Sequence, residues 1–280
     1  MKFTKMHGCG NDYIYVDGAQ EQIPAEKKPE AVRRLSDRHF GIGGDGVIFI
    51  NPSKEADFEM EMYNADGSRA EMCGNGIRCV AKYVFDKHLT NQKELDIISA
   101  GKVKHIILTV ENGEAILAKV NMGRPELASE LIPVLSEHET VINEEIIVQG
   151  NPYHMTCVSM GNPHAVIFMD DVKGLQIEQI GPYFEQHERF PKRINTEFVK
   201  VIDRQNVEMR VWERGTGETL ACGTGCCATV TACVLNGLTD RKITVHLLGG
   251  DITVEWEEAE DTIYMTGPAK TVFEGEIDLG

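Results

Sequence analysis

Residues 73–76 read Cys-Gly-Asn-Gly and residues 222–225 read Cys-Gly-Thr-Gly, and each tetrapeptide leads directly into an apolar stretch. The first stretch is IRCVAKYV, and the second, which begins directly after Gly225, is CCATVTACV. An apolar run behind a glycine loop predicts a helix whose first turn begins beside the cysteine. A chain with two such thiols can place one on each side of a substrate, which is what inversion at a carbon atom requires.

Polar residues recur at matched distances before the two cysteines. The pairs, with the residue before Cys73 named first, are Asn64 and Glu213 at nine residues, Gly46 and Asn195 at twenty-seven, and Asn11 and Asn162 at sixty-two and sixty. Chance could supply one such match. Three matches around a shared Cys-Gly-x-Gly loop indicate a duplicated unit, although the overall identity between the two halves is low.

Hydrophobic patterning places similar elements in both halves. Apolar and charged residues alternate over 58–62 and again over 207–211, which predicts a half-buried strand ahead of each cysteine loop. Two helices and two hairpin turns are also predicted: helices over 29–39 and 174–188, and turns at Asn112-Gly113 and Gly249-Gly250.

These elements suggest two domains with a boundary near residues 120–125. The first domain is expected to span 1–120 and to carry Cys73. The second is expected to span 121–265 and to carry Cys222. A paired closing strand is the simplest role for the final segment, 266–280, so we expect it to return to the first domain.

The bulk composition excludes several classes of function. The 280-residue chain has a formal net charge of −16, and 42% of its residues are hydrophobic. Such a chain is typical of a soluble globular protein, and its acidity argues against a nucleic-acid partner. The N-terminal segment lacks the apolar core of a signal peptide, and no run approaches the ~18 apolar residues of a membrane span. We therefore expect a cytoplasmic protein that does not bind a membrane.

The eight cysteines do not indicate a disulfide framework in a chain of this length. No CxxC pair occurs, so zinc-ribbon and thioredoxin-like interpretations are weak, and we expect no metal site. Cys79, Cys227 and Cys233 fall inside the predicted helices, where cysteine is usually a small buried apolar residue. Cys73 and Cys222 are therefore the main candidates for chemistry.

A Cys-Gly-x-Gly loop before a helix suits chemistry on a carboxylate. The N–H groups of a first helical turn have no partner within the helix, and the helix dipole is positive there. Such a site binds an anion and stabilises a thiolate. A nucleotide-binding P-loop is excluded because neither copy ends in Lys-Ser/Thr. The glycine-rich residues 41–46 precede a strand, which is the reverse of a dinucleotide motif.

Four segments together resemble the diaminopimelate epimerase family. They are HGCGNDYIYVD from residue 7, YNADGSRAEMCGNGIRC from residue 63, GNPH from residue 161 and ERGTGETLACGTGC from residue 213. The likeness runs from Met1 to about residue 265. Proline racemases share the paired cysteines, but GNDY and ERGTGET point to the epimerase. The resemblance implies two pseudo-symmetric α/β (α+β) halves, each a curved mixed sheet around a central helix, with the active site in the cleft between them.

The resemblance also implies an activity. It is the cofactor-independent epimerisation of LL-2,6-diaminopimelate to meso-diaminopimelate, in lysine and peptidoglycan precursor synthesis, by an enzyme expected to be a homodimer. Matched by motif, Cys73 and Cys222 are the acid and base, while His164 and Glu213 tune the two thiols. The implied substrate-binding residues are Asn11, Asn64, Gly74, Asn75, Asn162, Asn195, Glu213, Arg214, Gly223 and Thr224.

Some alternatives stay open. Some family members carry Gln where this chain has Gly46, so a side-chain contact there is either missing or replaced by backbone or water. His7 is more simply structural, Asn75 can act through its backbone alone, and Arg214 can be a surface charge. A racemase of another small amino acid and a thiol redox or metal-binding protein are the competing functions. Arg214 with several Asn favours a longer, two-headed substrate.

Overall fold

Two units make up the chain, Met1–Val120 with Gly267–Gly280 and Asn121–Thr266. The computed structural model describes residues 1–70 and 73–279, so Glu71 and Met72 of the first cysteine motif lie outside the described residues. Each unit is a mixed sheet with two helices, which confirms the predicted fold class of two pseudo-symmetric halves.

The first unit takes its strands from both ends of the chain. These strands are β1 (Lys2–Gly8), β2 (Asn11–Asp17), β3 (Gly46–Pro52), β4 (Phe58–Asn64), β5 (Glu94–Ser99), β6 (Lys102–Glu111), β7 (Glu114–Gly123) and, from the end of the chain, β17 (Lys270–Glu276). They pair in the order β17-β1-β2-β3-β4-β5-β6-β7. The β2–β3 and β4–β5 pairs are parallel and the others antiparallel.

The second unit repeats this arrangement. Its strands are β8 (Glu144–Val148), β9 (Asn151–Ser159), β10 (Pro163–Phe168), β11 (Asn195–Asp203), β12 (Asn206–Glu213), β13 (Gly217–Thr219), β14 (Lys242–Leu247), β15 (Gly250–Glu257) and β16 (Thr262–Pro268). They pair in the order β8-β9-β10-β11-β12-β14-β15-β16, with the short β13 also on β12. The parallel pairs, β10–β11 and β12–β14, occupy the same places as in the first unit. The shared topology supports the duplication inferred from residue spacing.

Each unit has a buried helix on one face of its sheet and a second helix on the other. The four helices are α1 (Lys28–Ser36), α2 (Gly74–Asp86), α3 (Ile177–Glu185) and α4 (Gly223–Leu235). Ten of the 13 residues are buried in α2 and likewise in α4. Side chains alternate across a strand, so Phe49 packs with Val32 and Leu35 of α1 while Ile48 faces α2. The cysteine helices are therefore the central helices of their units.

Most local predictions are confirmed, with shifted ends. The helix predicted over 29–39 ends at Ser36, because the Asp37 carboxylate accepts the N–H groups of His39 and Phe40 and turns the chain. The helix predicted over 174–188 is the shorter α3, and β6 and β7 form the hairpin at Asn112-Gly113. The turn predicted at Gly249-Gly250 is one residue earlier, since Gly250 already pairs with Leu247.

Among the described residues, no helix is both long enough and apolar enough to cross a membrane.

Candidate active site

Cys73 caps the N-terminus of α2. Its backbone is extended, with φ −120° and ψ 114°, so its side chain folds back over the first helical turn. The N–H of Gly76 donates to Cys73 Sγ at 3.3 Å, and the thiol donates to Asn11 Oδ1 at 3.3 Å. A thiolate here would keep the Gly76 contact and lose the one to Asn11. The half-buried sulfur therefore has a contact suited to each protonation state.

A charged network fixes the amide of Asn11. Asn11 Nδ2 donates to Asp45 Oδ2 at 2.7 Å, and the other Asp45 oxygen accepts from Arg38 at 2.9 Å. Arg38 also donates to Asp12 at 2.8 Å. Because a carboxylate only accepts, Asp45 must face the Asn11 amino group, and the amide oxygen is left for Cys73.

Asn64 and Gly46 lie opposite one another where β4 and β3 pair. The Asn64 side chain is exposed and donates to Ser68 Oγ at 3.0 Å. A Cβ placed on Gly46 would lie 2.0 Å from the carbonyl oxygen of Tyr63. The backbone there leaves no space for a longer side chain such as Gln.

The Asn75 side chain is buried inside the first turn of α2. The fully buried Arg78 donates to Asn75 Oδ1 at 3.0 Å and to the Gly74 carbonyl at 3.1 Å. The side chain of Asn75 is thus engaged within the protein. This favours the interpretation in which Gly74 and Asn75 offer a ligand their backbone N–H groups.

Cys222 caps α4 with nearly the same geometry, at φ −121° and ψ 110°. Its sulfur lies 3.5 Å from Thr224 Oγ1 and is more deeply buried than that of Cys73. Burial raises the pKa of Cys222 well above its usual value, and the negative charges of Glu213 and Glu197 raise it further. The Thr224 hydroxyl and the Gly225 N–H act in the opposite direction. The surroundings of Cys222 therefore disfavour its thiolate form.

His164 is completely buried. Its Nδ1 lies 2.7 Å from Glu197 Oε1, and its Nε2 lies 3.0 Å from Asn162 Oδ1. Glu197 is fully buried and was not identified from the sequence. The sequence feature that could have indicated Glu197 is its position as the one acidic residue in the otherwise uncharged run Asn195–Val199.

Asn195, Glu213 and Arg214 meet at the end of β12. Asn195 Oδ1 accepts the backbone N–H of Arg214 at 2.8 Å, and the Thr219 hydroxyl donates to Glu213. The Arg214 guanidinium is exposed and donates to the carbonyl of Lys192 at 3.0 Å. In the second unit, hydrogen bonds thus link the predicted residues in two pairs: Asn162 with His164, and Asn195 with Arg214.

His7 has a structural role, as expected. Its Nδ1 accepts the N–H of Gly10 at 3.2 Å and so supports the turn before Asn11.

Comparisons with known proteins agree over the whole chain. A family model described as diaminopimelate epimerase matches residues 3–128 and 156–272. A diaminopimelate epimerase of Methanococcus maripaludis (strain C5) is 58% identical, with 100% of both chains covered. One of Acetivibrio thermocellus is 56% identical, with 100% of this chain and 99% of the relative covered.

Solved structures with much lower identity share the fold. A hydroxyproline epimerase from Agrobacterium vitis superposes with a TM-score of 0.70 at 12% identity, covering 99% of this chain and 90% of that one. A phenazine biosynthesis protein of the PhzF family from Bacillus anthracis gives 0.72 at 17% identity, covering 100% and 99%.

Proposed function

This chain belongs to the diaminopimelate epimerase family, and we propose that Cys73 and Cys222 are the acid and base of its reaction. The enzyme epimerises LL-2,6-diaminopimelate to meso-diaminopimelate, a step of lysine and peptidoglycan precursor biosynthesis. One observation carries the assignment of the two cysteines. Each caps the central helix of its unit, and their backbone angles agree within 1° in φ and 4° in ψ.

The reaction exchanges one proton for another at the α-carbon. A thiolate removes the α-proton, and the electron pair of the broken C–H bond moves towards the carboxylate. The opposite thiol then donates its proton to the other face of the carbon. Each turnover therefore exchanges the protonation states of the two cysteines, so the same enzyme works in both directions without a cofactor.

The helix N-termini stabilise the charge that develops on the reacting carboxylate. We assign this role to the backbone N–H groups of Gly74, Asn75, Gly223 and Thr224. Donors fixed before the reaction stabilise developing charge at no reorganisation cost, and one such donor is typically worth about 10²–10³-fold in kcat. The buried partners of Asn75 support this, because they hold the first turn of α2 rigid.

The remaining polar residues are assigned to the two ends of the substrate. Arg214 can hold the distal carboxylate in bidentate fashion, since its guanidinium reaches solvent beside Asn195. Amide side chains accept from an ammonium group and donate to a carboxylate. We assign these contacts to Asn11, Asn64, Asn162 and Asn195, with Glu213 beside the amino group.

The surroundings of Cys222 support one assignment of the acid and the base. Burial and the negative charges of Glu213 and Glu197 raise the pKa of Cys222 and so favour its protonated form. We propose that Cys222 is the acid and Cys73 the base when LL-diaminopimelate first binds.

We also propose that the enzyme is a cytoplasmic homodimer. Exposed apolar side chains, among them Phe40 at 91% and Leu131 at 63%, are consistent with an interface between copies. Sedimentation at micromolar concentration tests this, and a monomeric mass would contradict it.

The activity is tested with purified protein that has been dialysed against chelator and given no pyridoxal phosphate. Chiral chromatography should show LL-diaminopimelate converting to the meso form at the rate of undialysed enzyme. A requirement for added metal or cofactor would contradict the proposal.

A further inference from the structure

The buried pair of His164 and Glu197 is the clearest chemical difference between the two cysteine sites. Both side chains are fully buried, and Glu197 Oε1 lies 2.7 Å from His164 Nδ1. The second carboxylate oxygen, Oε2, has no hydrogen-bond partner among the described residues. Leaving a carboxylate oxygen buried in this way is costly. A group kept at such cost calls for a functional explanation.

The duplicated fold identifies the equivalent residues in the first unit. Glu197 lies twenty-five residues before Cys222, and Ile48 lies twenty-five before Cys73. Each faces the same glycine of the cysteine helix. A Cβ on Gly225 would lie 2.6 Å from Glu197 Oε1, and a Cβ on Gly76 would lie 2.9 Å from Ile48 Cδ1. Cys222 therefore caps a helix whose first turn packs against a carboxylate. Cys73 caps a helix whose first turn packs against an alkyl group.

Glu197 is also close to the sulfur. The Cβ position on Gly225 that lies against Glu197 is 3.3 Å from Cys222 Sγ. Two further titratable groups act near the pair: Glu213 from β12, which raises the pKa of Cys222, and the Cys157 thiol from β9, whose pKa is raised by burial and, to a smaller extent, by Glu197. Arg189 lowers the pKa of Cys157 and Glu144 raises it.

We propose that Glu197 is a positioning residue for Cys222, which fixes the His164 ring and places beneath the first turn of α4 a negative charge that opposes thiolate formation. The first unit has no counterpart, because Ile48 occupies that position. The pair of His164 and Glu197 thereby makes Cys222 harder to ionise than Cys73, although the two units share the same fold. This inference rests on the proposed roles of Cys73 and Cys222, but its effect on Cys222 can be measured without substrate.

The test follows alkylation of each cysteine by iodoacetamide against pH in substrate-free enzyme, with peptide mapping to separate Cys73 from Cys222. In Glu197→Gln, which keeps an acceptor for the His164 ring but removes the charge, the Cys222 midpoint should move to lower pH by about one unit. The Cys73 midpoint should not move. Glu197→Asp, which keeps the charge, should restore the Cys222 midpoint towards the wild-type value.

Glu208→Gln is the matched control. Glu208 is another carboxylate of the second unit with a buried, unpartnered oxygen, and its other oxygen pairs with Lys173 at 2.7 Å. This variant should leave both midpoints unchanged. A similar shift in it would mean that any lost carboxylate has the same effect, which would overturn the proposal.

Catalysis gives a second readout. In Glu197→Gln, the alkaline limb of kcat/KM should move to lower pH with the Cys222 midpoint. Reduced activity without any shift of the Cys222 midpoint would make Glu197 a merely structural residue and overturn the proposal, as would a shift to higher pH. A shifted midpoint in an enzyme that does not need Cys222 would instead leave the inference intact and contradict the proposed function.

If Glu197→Gln does not fold, the double variant His164→Tyr, Glu197→Ile serves in its place. It installs the residues found at the equivalent positions of the first unit, Tyr13 and Ile48, which that fold already accommodates. The Cys222 midpoint should again move to lower pH, and an unchanged midpoint would overturn the proposal.

Discussion

The Cys73 and Cys222 sites share a backbone but differ in what surrounds the sulfur. Both cysteines cap a buried helix at nearly identical angles. Cys73 is half-buried and donates to the amide oxygen of Asn11, whose amino group donates to Asp45, whereas Cys222 is buried near two carboxylates. The duplicated backbone places two equivalent thiols, and the side chains around them make one thiol harder to ionise. A reaction with one acid and one base needs both features.

The largest expected effect comes from removing either thiol. Cys73→Ala and Cys222→Ala should each lower kcat for epimerisation by at least about 10²–10⁴-fold, because one face of the carbon loses its proton-transfer group. Circular dichroism checks that each variant is folded. If only one of the two substitutions abolished turnover, the sites would not be equivalent in function and the two-base account would fail.

The two units should also lose different amounts of stability when the fifth residue after the cysteine is substituted. That residue is Arg78 in α2 and Cys227 in α4. Arg78 donates to the buried Gly74 carbonyl and Asn75 Oδ1, and also to the partly buried Pro268 carbonyl. Arg78→Met should lower the free energy of unfolding by about 3 kcal/mol or more, since each unsatisfied buried acceptor costs about 1–3 kcal/mol.

Cys227 is the equivalent residue in α4, and Cys227→Ala should cost only about 1 kcal/mol. Urea-induced unfolding compares the two variants. Equal losses would show that Arg78 does not hold the first turn of α2.

Arg214 tests the comparison at the proposed substrate-binding end, because its counterpart in the first unit, eight residues before Cys73, is the uncharged Ala65. Arg214→Met should lower kcat/KM by a factor that corresponds to about 1.5–3 kcal/mol, the usual value of a charge-assisted hydrogen bond. Steady-state kinetics measure it, with Arg204→Met as an exposed arginine control. An unchanged kcat/KM would make Arg214 a solvated surface charge.

The smallest effect is expected at Asp45. Asp45→Asn removes the charge that fixes the Asn11 amide, so that amide can rotate and present its amino group to Cys73. A loss of about 1 kcal/mol, or roughly fivefold in kcat/KM, is expected. Asp96→Asn changes an exposed carboxylate of β5 and is the control. Equal kinetics in both variants would show that Asn11 does not need Asp45.

The spacing of residues in the sequence predicted the duplication because insertions between the matched positions are few. Asn64 and Glu213 could be paired by counting back from each cysteine, and the structure places them at the ends of equivalent strands, β4 and β12. Glu197 could not be found in this way. Its counterpart is the apolar Ile48, and an acidic residue in a strand is ordinarily solvent-facing.

Glu197 can be recognised as a buried carboxylate only when both faces of β11 are known to be buried. The sheet carries α3 on one side and α4 on the other, so Phe198 and Glu197 are both fully buried. The sequence pattern predicts which strands and helices form. Which of two alternating faces meets a helix depends on tertiary packing, and the environment of a thiol depends on that packing too.

The central claim, that one thiol removes the α-proton and the other delivers a different one, is tested most directly by deuterium incorporation. LL-diaminopimelate is incubated with the enzyme in D₂O, and the LL and meso forms are separated at early times for mass spectrometry. The account predicts that the first meso product carries deuterium at the inverted carbon while the recovered LL substrate carries none. Meso product that retains the original proton, or deuterium that enters both forms at the same rate, would contradict the two-thiol mechanism.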